Sequence, residues 1–243
     1  MSDTIVWISG ASSGIGAALA AAVPFDGARV IDISRSGDGP AGEHVPADLA
    51  DPSAWAAVES HFIAALGNFT GSRAVFFHCA GVLAPVGFAG EVDSAAYRAN
   101  VVLNSAAPQA LGHAFLKATR DFDGRSDLVL LTSGAAQRPY EGWSSYGAGK
   151  AAVDQWVRSV GAEQEARGGR CRVLAVAPGV VATAMQDQIR KVDPRDFPAV
   201  SKFIELHATG ALRSPEDAAR DLWGLLDRDF PNGSVLDVRR LTA

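Results

Sequence analysis

Short apolar runs alternate with longer amphipathic stretches along most of this chain, and that alternation constrains the fold more than any other feature. Apolar runs at 4–9, 28–34, 74–80, 127–133, 170–177 and 235–238, with a short one at 45–47, predict strands. Most are continuously apolar, as expected of strands buried on both faces. The stretches between them at 14–23, 52–66, 94–119, 144–167 and 215–228 predict helices. The last carries its own start signal: Ser214 as N-cap, Pro215 at the first helical position, then acidic Glu216 and Asp217. Such alternation implies an α/β, Rossmann-like, doubly wound parallel sheet with helices on both faces. No repeat, low-complexity tract or long linker divides residues 1–243, so a single domain is expected. The stretch 184–212 departs from the pattern, with charges, two prolines and scattered aromatics, and is expected to form a helical lobe capping a site.

Composition narrows the partners. The formal charge is −5 with no long basic block, which argues against a nucleic-acid backbone. No apolar run approaches the roughly 20 residues of a membrane span. The opening Met1-Ser2-Asp3-Thr4 has no basic segment followed by an apolar one, so no signal peptide is expected. The two cysteines, Cys79 and Cys171, lie in apolar strand-like runs and read as reduced thiols of a cytoplasmic protein. No metal site is expected, because no ligand set occurs at a suitable spacing.

The chemistry begins after the first strand. Ser9-Gly10-Ala11-Ser12-Ser13-Gly14-Ile15-Gly16 opens the first helix, where glycines permit close backbone approach and the helix N-terminus favours a phosphate. Three residues separate its first two glycines, unlike the commoner Gly-x-Gly-x-x-Gly spacing. The second strand ends at Ser34-Arg35, where an NAD-binding fold would carry an acid. Arg35 suits a 2′-phosphate, the alternative being an ordinary surface arginine, while nearby Asp32 leaves the acidic reading open. Tyr146 and Lys150 stand four residues apart in a predicted helix and so share a face. An ammonium beside a phenol is expected to lower the phenol pKa and fit it for proton transfer.

With these pieces placed, the chain resembles the short-chain dehydrogenase/reductase family along nearly its whole length. The matching elements are the loop from Gly10 to Gly16, Asp48-Leu49, Ala80-Gly81, Ser133, Tyr146, Lys150 and Pro178-Gly179. The resemblance implies that Ser133 polarises a substrate carbonyl, Tyr146 protonates it, and Lys150 serves both the tyrosine and the nicotinamide ribose. It implies Asn104 in a proton relay, with Asn100 as its fallback one helical turn earlier. Asp48 and Leu49 would flank the adenine. Pro178, Gly179, Val181 and Thr183 would line the nicotinamide side, with Thr183 on the carboxamide. Together with Ser12, Ser13, Ile15 and Arg35, these form the expected NADP(H) site. Where the family usually has two asparagines before Ala80, this chain has His78 and Cys79, and His78 reads as structural.

The C-terminal third is similar to the sepiapterin reductase and benzil reductase branch. It carries Met185-Gln186, Ser214-Pro215-Glu216 and Phe230-Pro231-Asn232-Gly233-Ser234-Val235-Leu236-Asp237. That implies an NADPH-dependent carbonyl reductase for a small-molecule ketone or vicinal dicarbonyl, assembled as a homodimer or homotetramer. Trp143, Tyr140, Leu83 and Met185 are candidates for an apolar pocket wall or for core. Asp237 matches the pterin anchor of sepiapterin reductases, or else closes the last strand or pairs with Arg239 or Arg240. The rival readings are an alcohol dehydrogenase working oxidatively and a non-catalytic dinucleotide sensor.

Overall fold

The computed structural model describes residues 2–241. Seven strands form one parallel sheet in the order β3-β2-β1-β4-β5-β6-β7. They are β1 (Thr4–Ser9), β2 (Arg29–Ser34), β3 (Glu43–Pro46), β4 (Arg73–His78), β5 (Arg125–Leu131), β6 (Cys171–Ala177) and β7 (Val235–Asp237). The order reverses between β1 and β4, which opens a crevice at the carboxyl ends of the strands. Successive β1 residues serve opposite faces. Ile5 and Trp7 join one apolar layer with Phe62, Phe76 and Phe115. Val6 and Ile8 join the other with Phe77, Leu222 and Trp223. The continuously apolar strand pattern therefore has its physical origin in a sheet covered on both sides.

The helices are α1 (Gly14–Ala21), α2 (Trp55–Gly67), α3 (Ser94–Val101), α4 (Ala107–Ala118), α5 (Ser144–Arg167), α6 (Ala184–Ile189), α7 (Val200–Ala208) and α8 (Pro215–Gly224). The Ser214 cap forms as expected, its hydroxyl accepting from the Asp217 amide at 3.0 Å. Helix α5 ends at Gly168, whose φ of 62° supplies the left-handed turn. The stretch 184–212 is largely helical, through α6 and α7. Cys79 and Cys171 are free thiols. Among the described residues no helix is long and apolar enough to cross a membrane.

Several sequence boundaries need correction: β5 runs over 125–131 instead of 127–133, α1 ends at Ala21 instead of 23 and α8 at Gly224 instead of 228. The helix expected over 94–119 is two helices joined by a wide turn at Val102–Ala106. Pro108 has no N–H to return to the Asn104 carbonyl, so the regular ladder cannot run through that point. Strand β4 ends at His78 instead of continuing to 80. The Cys79 amide is shared between the Ser9 carbonyl at 3.2 Å and Ser9 Oγ at 3.1 Å, and the Ala80 amide donates to Ser9 Oγ at 3.1 Å.

Candidate active site

The dinucleotide cradle starts at the Ser9–Gly10 bend. Gly10 has a φ of 72°, which a side chain would strain. A Cβ on Gly16 would lie 2.3 Å from the Gly10 carbonyl oxygen, so the first turn of α1 closes onto the loop only because position 16 is glycine. Buried Asp32 holds the loop from β2: its Oδ1 accepts from the Ala11 amide at 3.0 Å and its Oδ2 from Ser34 Oγ at 2.5 Å. That carboxylate therefore ties the loop to β2. Ser12 and Ser13 stand beside the N-terminus of α1, and Ser13 is exposed. Ile15 packs partly buried beneath them.

Arg35 follows at the end of β2, exposed and in no ion pair among the described residues. Asp48 is exposed after β3 while Leu49 is buried. The two are fixed by local bonds, Asp48 Oδ1 accepting from Ala50 N at 3.0 Å and the Leu49 carbonyl from Trp55 Nε1 at 3.1 Å. Across the crevice Thr183 comes close to Gly14, where a Cβ would meet its Cγ2 at 3.4 Å, and a cleft of about 490 Å³ runs along α1 past Gly14, Ala17, Ala21, Thr183 and Pro215. Pro178 and Gly179 leave β6 beside it, and Val181 is buried where it bridges to Arg213. Open backbone at the loop, an unpaired guanidinium at the β2 end and Thr183 opposite Gly14 together fit a dinucleotide carrying a 2′-phosphate.

Ser133 lies in extended backbone just beyond β5. Tyr146 comes from the first turn of α5, 8% exposed, with its hydroxyl near enough to the Ser133 side chain for the serine to act on its pKa. Lys150 sits one turn further, 6% exposed, and donates from Nζ to the Leu131 carbonyl at 2.9 Å. Its Nζ lies 5.9 Å from the Tyr146 ring centroid. The expected lowering of the tyrosine pKa is not what this arrangement gives. Burial pushes the phenol above its ordinary value, and the Ser133 side chain offsets this only in part. Burial also carries Lys150 down to about 8, opposed by Cys79 and Asp154. The ammonium spends a hydrogen bond on backbone, away from the phenol oxygen.

Asn104 stands in the wide turn between α3 and α4. Its amide clasps Val82, donating to the carbonyl at 2.7 Å and accepting from the amide at 3.1 Å. It also donates to Asn100 Oδ1 at 2.9 Å. Asn100 in turn donates to the Leu83 carbonyl at 3.1 Å and the Ala84 carbonyl at 2.8 Å. The two asparagines thus act in series, Asn104 nearer the lysine and Asn100 pinning segment 82–84. A Cβ on Gly81 would sit 2.9 Å from Asn104 Oδ1 and 3.6 Å from Lys150 Nζ, so Gly81 brings these groups together. Ala80 packs beside Gly10 on the other side.

His78 is structural in the fold. Its Nδ1 meets Ser9 Oγ at 3.0 Å, and burial, aided by the Lys150 charge, takes its pKa down to about 3. Burial pushes the Cys79 thiol up to about 12, leaving it protonated. The pair keeps the hydrogen-bonded link between β1 and β4 with the imidazole neutral.

Trp143 packs its ring edge-on to Tyr146 at 5.7 Å and stacks on Phe197 at 4.5 Å. Tyr140, Phe203 and Met185 complete an aromatic wall against which Tyr146 lies. Asp237, left between two readings by the sequence, forms the ion pair with Arg239. Arg239 Nε donates to Oδ1 at 2.9 Å and Nη2 to Oδ2 at 2.5 Å. The guanidinium hydrogen bonds hold that carboxyl below the usual range. Sequence reasoning gave Arg239 no role beyond this pairing; its only signal was adjacency to Asp237.

The family described as short chain dehydrogenase matches residues 4–194. The chain belongs to that family. Family membership makes it an oxidoreductase that binds a nicotinamide dinucleotide. The chain is 32% identical over 235 residues to benzil reductase ((S)-benzoin forming) of Bacillus subtilis (strain 168), covering 96% of this chain and 97% of the relative. It is 36% identical over 137 residues to mouse (Mus musculus) sepiapterin reductase, covering 56% of this chain and 51% of that one. Among solved structures, the KRED1-Pglu enzyme superposes with a TM-score of 0.79 at 27% identity, covering 96% of this chain and 99% of that one. The branch read from the C-terminal third is the one to which these relatives belong.

Proposed function

We propose that this protein is an NADPH-dependent carbonyl reductase acting on aryl-substituted vicinal dicarbonyls. The observation that carries this reading is the neighbouring Ser133 and Tyr146 side chains, backed by the buried aromatic cluster of Trp143 and Phe197. Two hydroxyls are available to one carbonyl oxygen, and partly exposed Tyr140 and Met185 give the cluster an apolar rim. The near full-length likeness to a benzil reductase supports the same substrate class. The sepiapterin alternative draws on Asp237, but that carboxylate is already engaged by Arg239.

In this reading the bound reduced nicotinamide supplies the hydride. Tyr146, protonated because of its burial, donates its proton to the oxygen as negative charge develops. Ser133 donates a hydrogen bond to the same oxygen, so stabilisation grows toward the transition state. Lys150 bonds the ribose and, through the Asn104 side, a proton path to solvent. Arg35 binds the 2′-phosphate and sets the cofactor choice. Helices α6 and α7 exclude water by covering the aromatic wall. The protein is a homodimer or homotetramer of the cytoplasm, which light scattering tests for the assembly.

The deciding experiment is a carbonyl panel containing benzil, 1-phenyl-1,2-propanedione and sepiapterin, run with NADPH and NADH. Turnover of the aryl dicarbonyls with NADPH is expected. Cofactor binding without turnover of any carbonyl would instead support a dinucleotide sensor.

A further inference from the structure

Arg239 reaches further into the site than its place in the sequence suggests. Strand β7 ends with Asp237 opposite Ala177, the last residue of β6. From there the Arg239 side chain crosses the Pro178-Gly179 turn. A Cβ on Gly179 would meet its Cγ and Cδ at 3.4 Å, and one on Gly134 would lie 3.7 Å from its Nη2. Gly134 directly follows Ser133, so the guanidinium lies along the row that also carries the carbonyl-binding hydroxyl. The side chain remains 52% accessible.

The fork is also held rigidly. Asp237 takes Nε and Nη2, and its Oδ1 accepts from the Arg239 amide as well, at 3.1 Å. Nη1 takes part in none of the hydrogen bonds among the described residues. Both N–H groups of Nη1 and the second of Nη2 therefore remain, fixed in direction by the carboxylate that neutralises the charge. A vicinal dicarbonyl has two oxygens one carbon–carbon bond apart. Ser133 and Tyr146 account for one of them, and the other is an acceptor without an assigned donor. Amino and ring N–H groups, by contrast, would have to share Asp237 with the three hydrogen bonds it already accepts from Arg239.

We propose that Arg239 is a specificity-determining residue, donating from its free guanidinium nitrogen to the second oxygen of a vicinal dicarbonyl while Asp237 holds the fork in place. This rests on the dicarbonyl reductase reading and deepens it. The contact fixes which carbonyl faces Tyr146. It favours substrates bearing an acceptor beside the reacting carbonyl over those bearing donors.

The test compares benzil with 1,2-diphenylethanone, which has the same two rings and lacks the second oxygen. Benzil is intrinsically the more electrophilic ketone, so the readout is the change in the ratio of their kcat/KM values between the parent and Arg239→Leu. A fall in that ratio of roughly tenfold or more is expected from the loss of a hydrogen bond to a charged donor. Should Arg239→Leu not fold, Arg239→Lys reads the same ratio. It keeps a charge for Asp237 but not the planar fork, and a fall of several-fold is still expected. An unchanged ratio in the folded variant overturns the inference and leaves the reductase reading standing. A parent that binds NADPH and reduces neither ketone overturns the reductase reading, and this inference with it.

Discussion

Lys150 donates to the main-chain carbonyl of Leu131 at 2.9 Å, and so enters the site tethered to the end of β5. Ser133 stands two residues after Leu131, so lysine, serine and tyrosine are referred to one strand end. That tether explains why a side chain with four rotatable bonds occupies one place. It also explains why its charge does not dominate the phenol beside it.

Tyr146→Phe is expected to cut turnover by roughly 10²–10⁴-fold while leaving NADPH binding nearly intact. Phenylalanine keeps the ring against Trp143 and removes the proton donor beside Ser133. Steady-state kinetics and a fluorescence titration with NADPH check the two halves. Retention of most activity would refute the role given to Tyr146.

The buried ammonium has a pH signature. Burial carries Lys150 down to about 8 in the fold, against 10.5 for a solvated lysine. Between those values the unfolded chain holds a proton that the native protein has released, so the Lys150 contribution to stability increases as pH rises from about 8 to 10.5. Below 8 both states are protonated, and the native state carries the whole cost of burying the charge. Lys150→Met removes that cost. Its stability advantage over the parent, read from urea melts, is expected to be largest at pH 7 and to shrink by pH 10. A constant difference across that range would contradict the buried, depressed lysine.

Asn104→Ala is expected to destabilise the protein by about 1–3 kcal/mol, because it strands the part-buried Val82 amide and removes one of the two donors to the Val82 carbonyl. Asn100 loses a partner as well. Denaturant melts read the loss. Turnover is expected to fall with it, since Gly81 and Lys150 lie against the same side chain.

How far the sequence reached depends on the range of the interactions involved. Strand runs and the glycine loop are local patterns, and β1, β7, α5 and the Ser214 cap fall where those patterns put them. The break at Asn104 was also local, since Pro108 stands four residues on, but the apolar period runs straight through it. The end of β4 depends on Ser9, which is 70 residues from Cys79 in sequence, so no window along the chain contains the cause. The tyrosine pKa went astray for a related reason. Spacing places Lys150 beside Tyr146, but only packing says that the phenol is buried and the ammonium is directed to Leu131. Asp237 and Arg239 illustrate the same limit, because adjacency suggested a pair and gave no hint of its reach to Gly134.

Arg35→Ala is expected to erode a preference for NADPH over NADH, chiefly by raising the NADPH Michaelis constant. The exposed guanidinium stands at the end of β2 with no ion pair among the described residues, so a 2′-phosphate meets no internal competitor. A phosphate remote from the transferring carbon interacts alike in the ground state and the transition state, and its loss therefore acts as uniform binding, leaving kcat little changed. A hydrogen bond to a charged group contributes about 1.5–3 kcal/mol when shielded, and exposure brings the expected loss to the lower end of that range or below. The effect should weaken further with added salt, which screens an exposed charge but leaves buried Tyr146 untouched. Michaelis constants for both cofactors at low and high salt, in parent and variant, provide the check. Equal efficiency with NADPH and NADH in the parent would remove Arg35 from the cofactor site.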